Sequence, residues 1–206
     1  AQFLMITGPI EEARKQMDIA VELEPFFWVV QNLNAWVYYF EGEHKKAIEA
    51  CISARDLKPD FYENNWLLFL NYAKLGEGEK AARELQLIAG LYPAASDYPD
   101  QIWNAWKQSD LEGLFSWLVD VNCYRPIPVE GMDGHPFFCA WWNALLGDRG
   151  KSIYWLEKNM ERDKRMYEYL NLIATNPDFD ILRADPRFIA IIEELGLTQY
   201  NTRRPK

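Results

Sequence analysis

The sequence predicts an all-helical protein built from stacked antiparallel helix pairs, and three observations carry that prediction. Glycine recurs at one step of 34 residues, at Gly8, Gly42 and Gly76. Alanine keeps the same step at Ala13, Ala47 and Ala81, and proline keeps it at Pro25, Pro59 and Pro93. Between Gly and Pro, apolar residues recur at helical spacing: Ala47, Ile48, Cys51 and Ala54, then Ala81, Leu85 and Ile88.

Each position has a physical reason. A glycine ends one helix in the left-handed conformation and lets the chain reverse without a Cβ penalty. The alanine five residues later sits where two helices touch most closely and only a small side chain fits. The proline stops the second helix. Each unit is therefore helix, tight turn, helix.

The elements follow in order. Residues 1–25 hold half a unit, since only "AQFLMIT" precedes the first turn. Full units span 26–59 and 60–93, with aromatic-rich first helices over roughly 26–41 and 60–75. Tyr38 and Tyr72 also keep the 34-residue step. Residues 94–123 form a degenerate unit, with helices over 97–108 and 110–122 meeting at Ser109–Asp110. Its small-residue position is taken by Phe115. "YRPIPVEGMDGHP", at 124–136, reads as a loop because of its prolines and glycines. A further helix pair over 137–163 turns at Gly147 and has Ser152 at the small position. Residues 164–197 form a C-terminal cap, and 198–206 a short basic tail. In the cap, Asp185 is an N-cap and Pro186 the first helical residue. Phe179, Leu182 and Phe188 would hide the apolar face that a terminal repeat leaves open.

The 34-residue period, the Gly-(x)4-Ala turn and the closing Pro resemble the tetratricopeptide repeat family. Of that family's first-helix aromatic pattern, Tyr38 and Tyr72 hold the last position, while Gln31, Asn34 and Ala35 replace the rest in the second copy. The ending "NPDFDILRADPRFIAIIEELGL" is similar to the close of a recurring bacterial tetratricopeptide-like domain, through Pro177, Phe179, Asp180, Leu182, Arg183, Asp185, Pro186, Arg187, Phe188, Leu195, Gly196 and Leu197. That resemblance implies a single domain over 1–206, a right-handed α-α superhelix with a capping C-terminal helix. It also implies the C-terminal part of a bacterial regulator, transcriptional activators and some cyclase and kinase chains being the usual settings.

Composition narrows the functions. Hydrophobic residues make up 49% of the 206 residues, which suits a packed core and not a disordered chain. The net charge of −9 repels phosphate, so direct nucleic-acid or anionic-membrane binding by this segment is disfavoured. No apolar run reaches the roughly 18 residues of a membrane helix, and the start has no basic region of a signal peptide. The start also lacks an initiator Met and enters abruptly, as a fragment of a longer chain would. Cys51, Cys123 and Cys139 form no spaced framework, which favours a reducing, cytoplasmic setting. Cys51 and Cys139 read as small core residues.

Nothing positive points to catalysis. "GDRGKS" at 147–152 lacks the first glycine of a phosphate loop, with Leu145 in its place, and a helix precedes it where that motif needs a strand. His135 and Cys139 stand four apart, but a metal site needs three or four ligands; His135 reads as a helix-start or loop residue. The expectation is no catalytic residue, no metal and no cofactor.

The resemblance places a binding groove on the first helices. Counting back from each closing proline puts Asn32, Trp36, Tyr39 and Phe40 in it from one unit, and Glu63, Trp66, Leu70 and Lys74 from the next. The late pair adds Phe137 and Trp141. Such a floor would take an apolar or aromatic segment of a protein or peptide; alternatively, these rings fill the groove by packing on the C-terminal helices. The leading expectation is a non-enzymatic interaction module, the partner- or ligand-sensing part of a larger regulator. A freestanding scaffold or oligomerisation protein, including a homodimer, is the second reading, and a helical enzyme the third.

Overall fold

The computed structural model describes residues 9–91, 96–124, 134–161 and 169–201. Gly8, Pro93, the opening 1–7, loop residues 125–133, the stretch 162–168 and tail residues 202–206 lie outside the described residues. The described residues are helical and contain no strand. The contacts divide into two compact units, the first running Ile10–Leu114 and the second starting at Phe115.

The first unit contains α1 (Ile10–Leu23), α2 (Trp28–Glu41), α3 (His44–Leu57), α4 (Glu63–Lys74) and α5 (Gly78–Ala89). Each packs on the next in chain order, and α2 also meets α4. In α3 the buried stripe is Ala47, Ala50, Cys51 and Ala54; in α5 it includes Ala81, Leu85 and Ile88. Ala13, Ala47 and Ala81 are all fully buried, as the close helix contact requires. Ile48 is only half-buried.

The turns repeat atom for atom. Gly42 and Gly76 have φ of 81° and 73°. The Gly42 N–H donates to the Tyr39 carbonyl and the Glu43 N–H to that of Tyr38; one unit later, Gly76 donates to Ala73 and Glu77 to Tyr72. These paired bonds satisfy carbonyls that the end of a helix would otherwise leave unmet. Tyr38 and Tyr72 share a second use. Lys46 lies 5.7 Å from the Tyr38 ring centroid and Lys80 lies 5.3 Å from that of Tyr72. Each tyrosine thus holds a cation of the following helix over its face.

The degenerate unit is α6 (Tyr98–Val119), interrupted at Ser109 and Asp110, where the backbone leaves helical geometry. The expected seam falls there. Phe115 is buried, but the close approach is made by Gly113: a Cβ built on it would stand 2.0 Å from the Ala105 carbonyl oxygen. α6 runs on into a π-helical turn, Asp120–Tyr124.

The second unit's hairpin is α7 (Pro136–Leu145) and α8 (Arg149–Met160). Gly147 is left-handed with φ of 80°, Asp148 caps α8 by accepting the Lys151 N–H at 3.0 Å, and Ser152 is fully buried. "GDRGKS" is therefore the turn of a helix pair. The unit closes with short 3-10 helices Leu170–Ala174 and Pro177–Leu182, then α9 (Pro186–Glu194) and a short turn, Thr198–Tyr200. The Asp185 carboxylate accepts the Arg187 N–H at 2.9 Å and Pro186 opens α9, as expected. Phe179, Leu182 and Phe188 are fully buried.

One expectation changes. Cys123 and Cys139 are joined in a disulfide that ties the π-helical turn to α7, so Cys139 is a cross-link and not merely a small packing residue. Sixteen positions separate the two in sequence, and their Cα atoms stand 5.7 Å apart. Only the fold brings them together. Cys51 is a buried free thiol, and burial pushes its pKa far above the ordinary thiol range.

Candidate functional site

The expected groove positions divide between the two units. On α2, Tyr39 and Phe40 are buried and Trp36 is half-buried. The Trp36 ring meets Tyr39 edge-on at 5.9 Å and Phe40 at 6.1 Å. Asn32 is buried and donates from Nδ2 to Asn64 Oδ1 at 2.9 Å, linking the first helices of two units. On α4, Leu70 is buried, Trp66 half-buried and edge-on to Phe69 at 5.9 Å, while Glu63 and Lys74 are exposed. Trp36, Trp66, Glu63 and Lys74 are thus the expected residues of the first unit that keep solvent-facing surface.

Phe137 and Trp141 lie in the aromatic core of the second unit and are buried. Phe137 stacks on Tyr169 at 5.5 Å and meets Phe179 at 6.0 Å. The Trp141 indole donates to Asp178 Oδ2 at 2.6 Å. These two rings anchor the C-terminal cap to α7. In the cap itself Arg183 is almost fully buried and donates to Asp180, to the Ala174 and Asn176 carbonyls and to Asn201. A buried guanidinium needs such a full set of acceptors, because an unpaired charge there would be strongly destabilising.

A second feature escaped the sequence reading. In the first unit, a cleft of about 1130 Å³ lies between the Gly76–Lys80 turn and the interruption in α6. Trp106, Lys107, Ser109 and Asp110 line one side, Lys80 and Arg83 the other. Asp110 carries φ 49° and ψ −131°, a region that side chains rarely enter. Its carboxylate accepts the Trp106 indole N–H at 3.2 Å and lies against Gly78 at the start of α5. A negative group there is favoured by the helix dipole. Trp103 and Trp106 are in contact at 4.6 Å, and Arg83 and Lys107 stand 5.7 and 5.6 Å from the Trp103 ring. Two cations are held by acids of their own helix region: Arg83 by Glu79 at 2.6 Å, and Lys80 by Glu77, which raises the Lys80 pKa. The only sequence signal for this cleft was the Ser109–Asp110 seam.

The chemistry on offer in the cleft is recognition, through indole faces, ammonium and guanidinium groups and one fixed carboxylate. Among the described residues no group of three His, Cys, Asp or Glu stands ready to hold a metal ion. His135 is the N-cap of α7 and accepts the Phe137 N–H through Nδ1 at 3.2 Å. No helix among the described residues is long and apolar enough to cross a membrane.

These features define a class: an all-helical protein of repeat-like helical hairpins. Comparison with known families, with curated proteins and with solved structures finds no match for the chain.

Proposed function

We propose that this chain is a tetratricopeptide-like α-α solenoid that serves as a non-enzymatic protein-interaction module, the partner-sensing part of a larger bacterial regulator. The observation that carries the reading is the recurrence of one turn geometry at Gly42 and Gly76, 34 residues apart, with a half-buried tryptophan on each adjoining first helix. Repeats of this kind act by presenting a continuous surface, and half-buried indoles supply anchoring area at low entropic cost. Trp36 and Trp66 are the proposed anchors, with Glu63 and Lys74 setting charge register. A partner segment seated there would bias how the hairpins stack. The test measures regulation in the parent protein with Trp36→Ala and Trp66→Ala. Loss of partner binding or of regulation, with helicity unchanged, supports the reading; wild-type behaviour in both ends it. The second reading, a freestanding scaffold, is separated by the coding sequence upstream of Ala1: a helix-turn-helix segment favours the regulator, a start codon the scaffold.

A further inference from the structure

We propose that the ends of the second helices in the first unit form a docking edge for a basic amphipathic helix of a partner protein. Leu23, Leu57 and Leu91 follow one another at the 34-residue step and occupy the same position, two residues before each closing proline. All three face solvent, with 72%, 41% and 57% of their surface exposed. Ile19 and Leu87, one turn earlier in α1 and α5, are exposed as well, with Ser53 at that step in α3, and Phe26 just after α1 is exposed too. A single exposed leucine needs no explanation, whereas a row of them, recurring at the period of the repeat, is the kind of apolar patch that marks an interface. The three leucines hold the same phase, because each stands ten residues after a fully buried alanine, Ala13, Ala47 or Ala81.

Charge names the occupant. Glu22 and Glu24 adjoin Leu23 in the chain, Asp56 adjoins Leu57 and Asp60 follows it by three positions, and all four are exposed. Lys58, the cation among them, is engaged with Asp60 at 2.8 Å. An apolar row with acidic flanks fits a helix carrying an apolar stripe between lysines and arginines. The same acids repel a second copy of this edge and an anionic lipid surface. The proposal does not use Trp36 or Trp66, so its failure and that of the first-helix surface are separable.

The experiment is fluorescence anisotropy with a labelled Leu/Lys peptide designed as an amphipathic helix, against a peptide of the same composition in scrambled order, at about 150 mM salt. The expected result is saturable binding of the ordered peptide, weakened at least about tenfold by the triple change Leu23→Ser, Leu57→Ser, Leu91→Ser, and by Glu24→Lys with Asp56→Lys. The charge variant exposes no new apolar surface and keeps the test valid if the triple variant folds poorly. Trp36→Ala with Trp66→Ala should bind as the unmodified protein. Equal binding of both peptides, or of the unmodified and leucine variants, overturns the proposal. So does self-association abolished by Leu57→Ser, which would make a second copy the occupant, or leucine-dependent sedimentation with anionic vesicles.

Discussion

Gly42, Gly78 and Gly113 are glycines for different reasons. At Gly42 nothing lies within 4 Å of an added Cβ, so the cost of Gly42→Ala is the left-handed backbone alone, about 1–2 kcal/mol. At Gly78 the Cβ would meet Asp110 Oδ1 at 2.0 Å and Trp106 Nε1 at 2.9 Å, both ends of side chains that can turn away. At Gly113 the obstacle is the Ala105 carbonyl, main chain that cannot yield without parting the two arms of α6. Gly113→Ala is expected to be the most damaging of the three, at about 3 kcal/mol or more, and Gly78→Ala to cost about 1–2. Urea denaturation of the three variants gives the order directly. Asp110→Gly should act in the opposite sense. Releasing a side chain from φ 49° and ψ −131° recovers more than the exposed Trp106 bond contributes, a net gain of about 1 kcal/mol. A thermal melt checks it, and a lower melting temperature would mean that the carboxylate at the start of α5 outweighs the strain.

At the scale of elements, two caps and one cross-link lend themselves to measurement. Asp148 and Asp185 each accept a backbone N–H at the start of a helix, and both carboxyls have pKa values below the ordinary range. For Asp148 the main cause is the Lys151 N–H; for Asp185 it is the Arg187 side chain. A depressed folded pKa means the contribution is fully present above the ordinary Asp value, near 4, and is lost as pH falls through the lowered values. Protection factors of the Lys151 and Arg187 amides, taken against the intrinsic exchange rate at each pH, should therefore fall on acidification through that window by more than those at the start of α5, where Glu77 makes no side-chain cap. The Cys123–Cys139 bond closes a short loop and should contribute about 3 kcal/mol where it is formed. Denatured protein without reductant should show one reactive thiol, from Cys51, and three with reductant; the melting temperature should drop on reduction. Three reactive thiols before reduction would show the bond absent.

At the scale of the molecule, a net charge of −9 governs encounters with other polyelectrolytes. Duplex DNA should not be retarded by this chain at about 150 mM salt, since association would add repulsion and release no counterions from phosphate. A gel-shift titration is sufficient, and a specific shift would place a nucleic-acid surface on the chain. Any contact with DNA in a regulator would then have to come from another segment or partner.

What the sequence determined by itself was local. The hairpins of the first unit, the turns at Gly42, Gly76 and Gly147 and the capped start of α9 each depend on residues a few positions apart. A left-handed glycine, a proline or an Asp-Pro pair leaves the chain little choice there. The small residues at Ala47, Ala81 and Ser152 were legible because the repeat prints them at a fixed distance from the turn. The tertiary structure decided everything that joins distant positions. It made Gly113 the small residue of the degenerate unit, paired Cys123 with Cys139 and set Asn32 against Asn64. It gave Trp141 to Asp178, and put Tyr39 and Phe40 in the core while leaving Trp36 half-exposed. An aromatic on a helix reads alike whether its face meets solvent or another helix. That difference lies in the neighbours supplied by packing, which no spacing along one chain segment encodes.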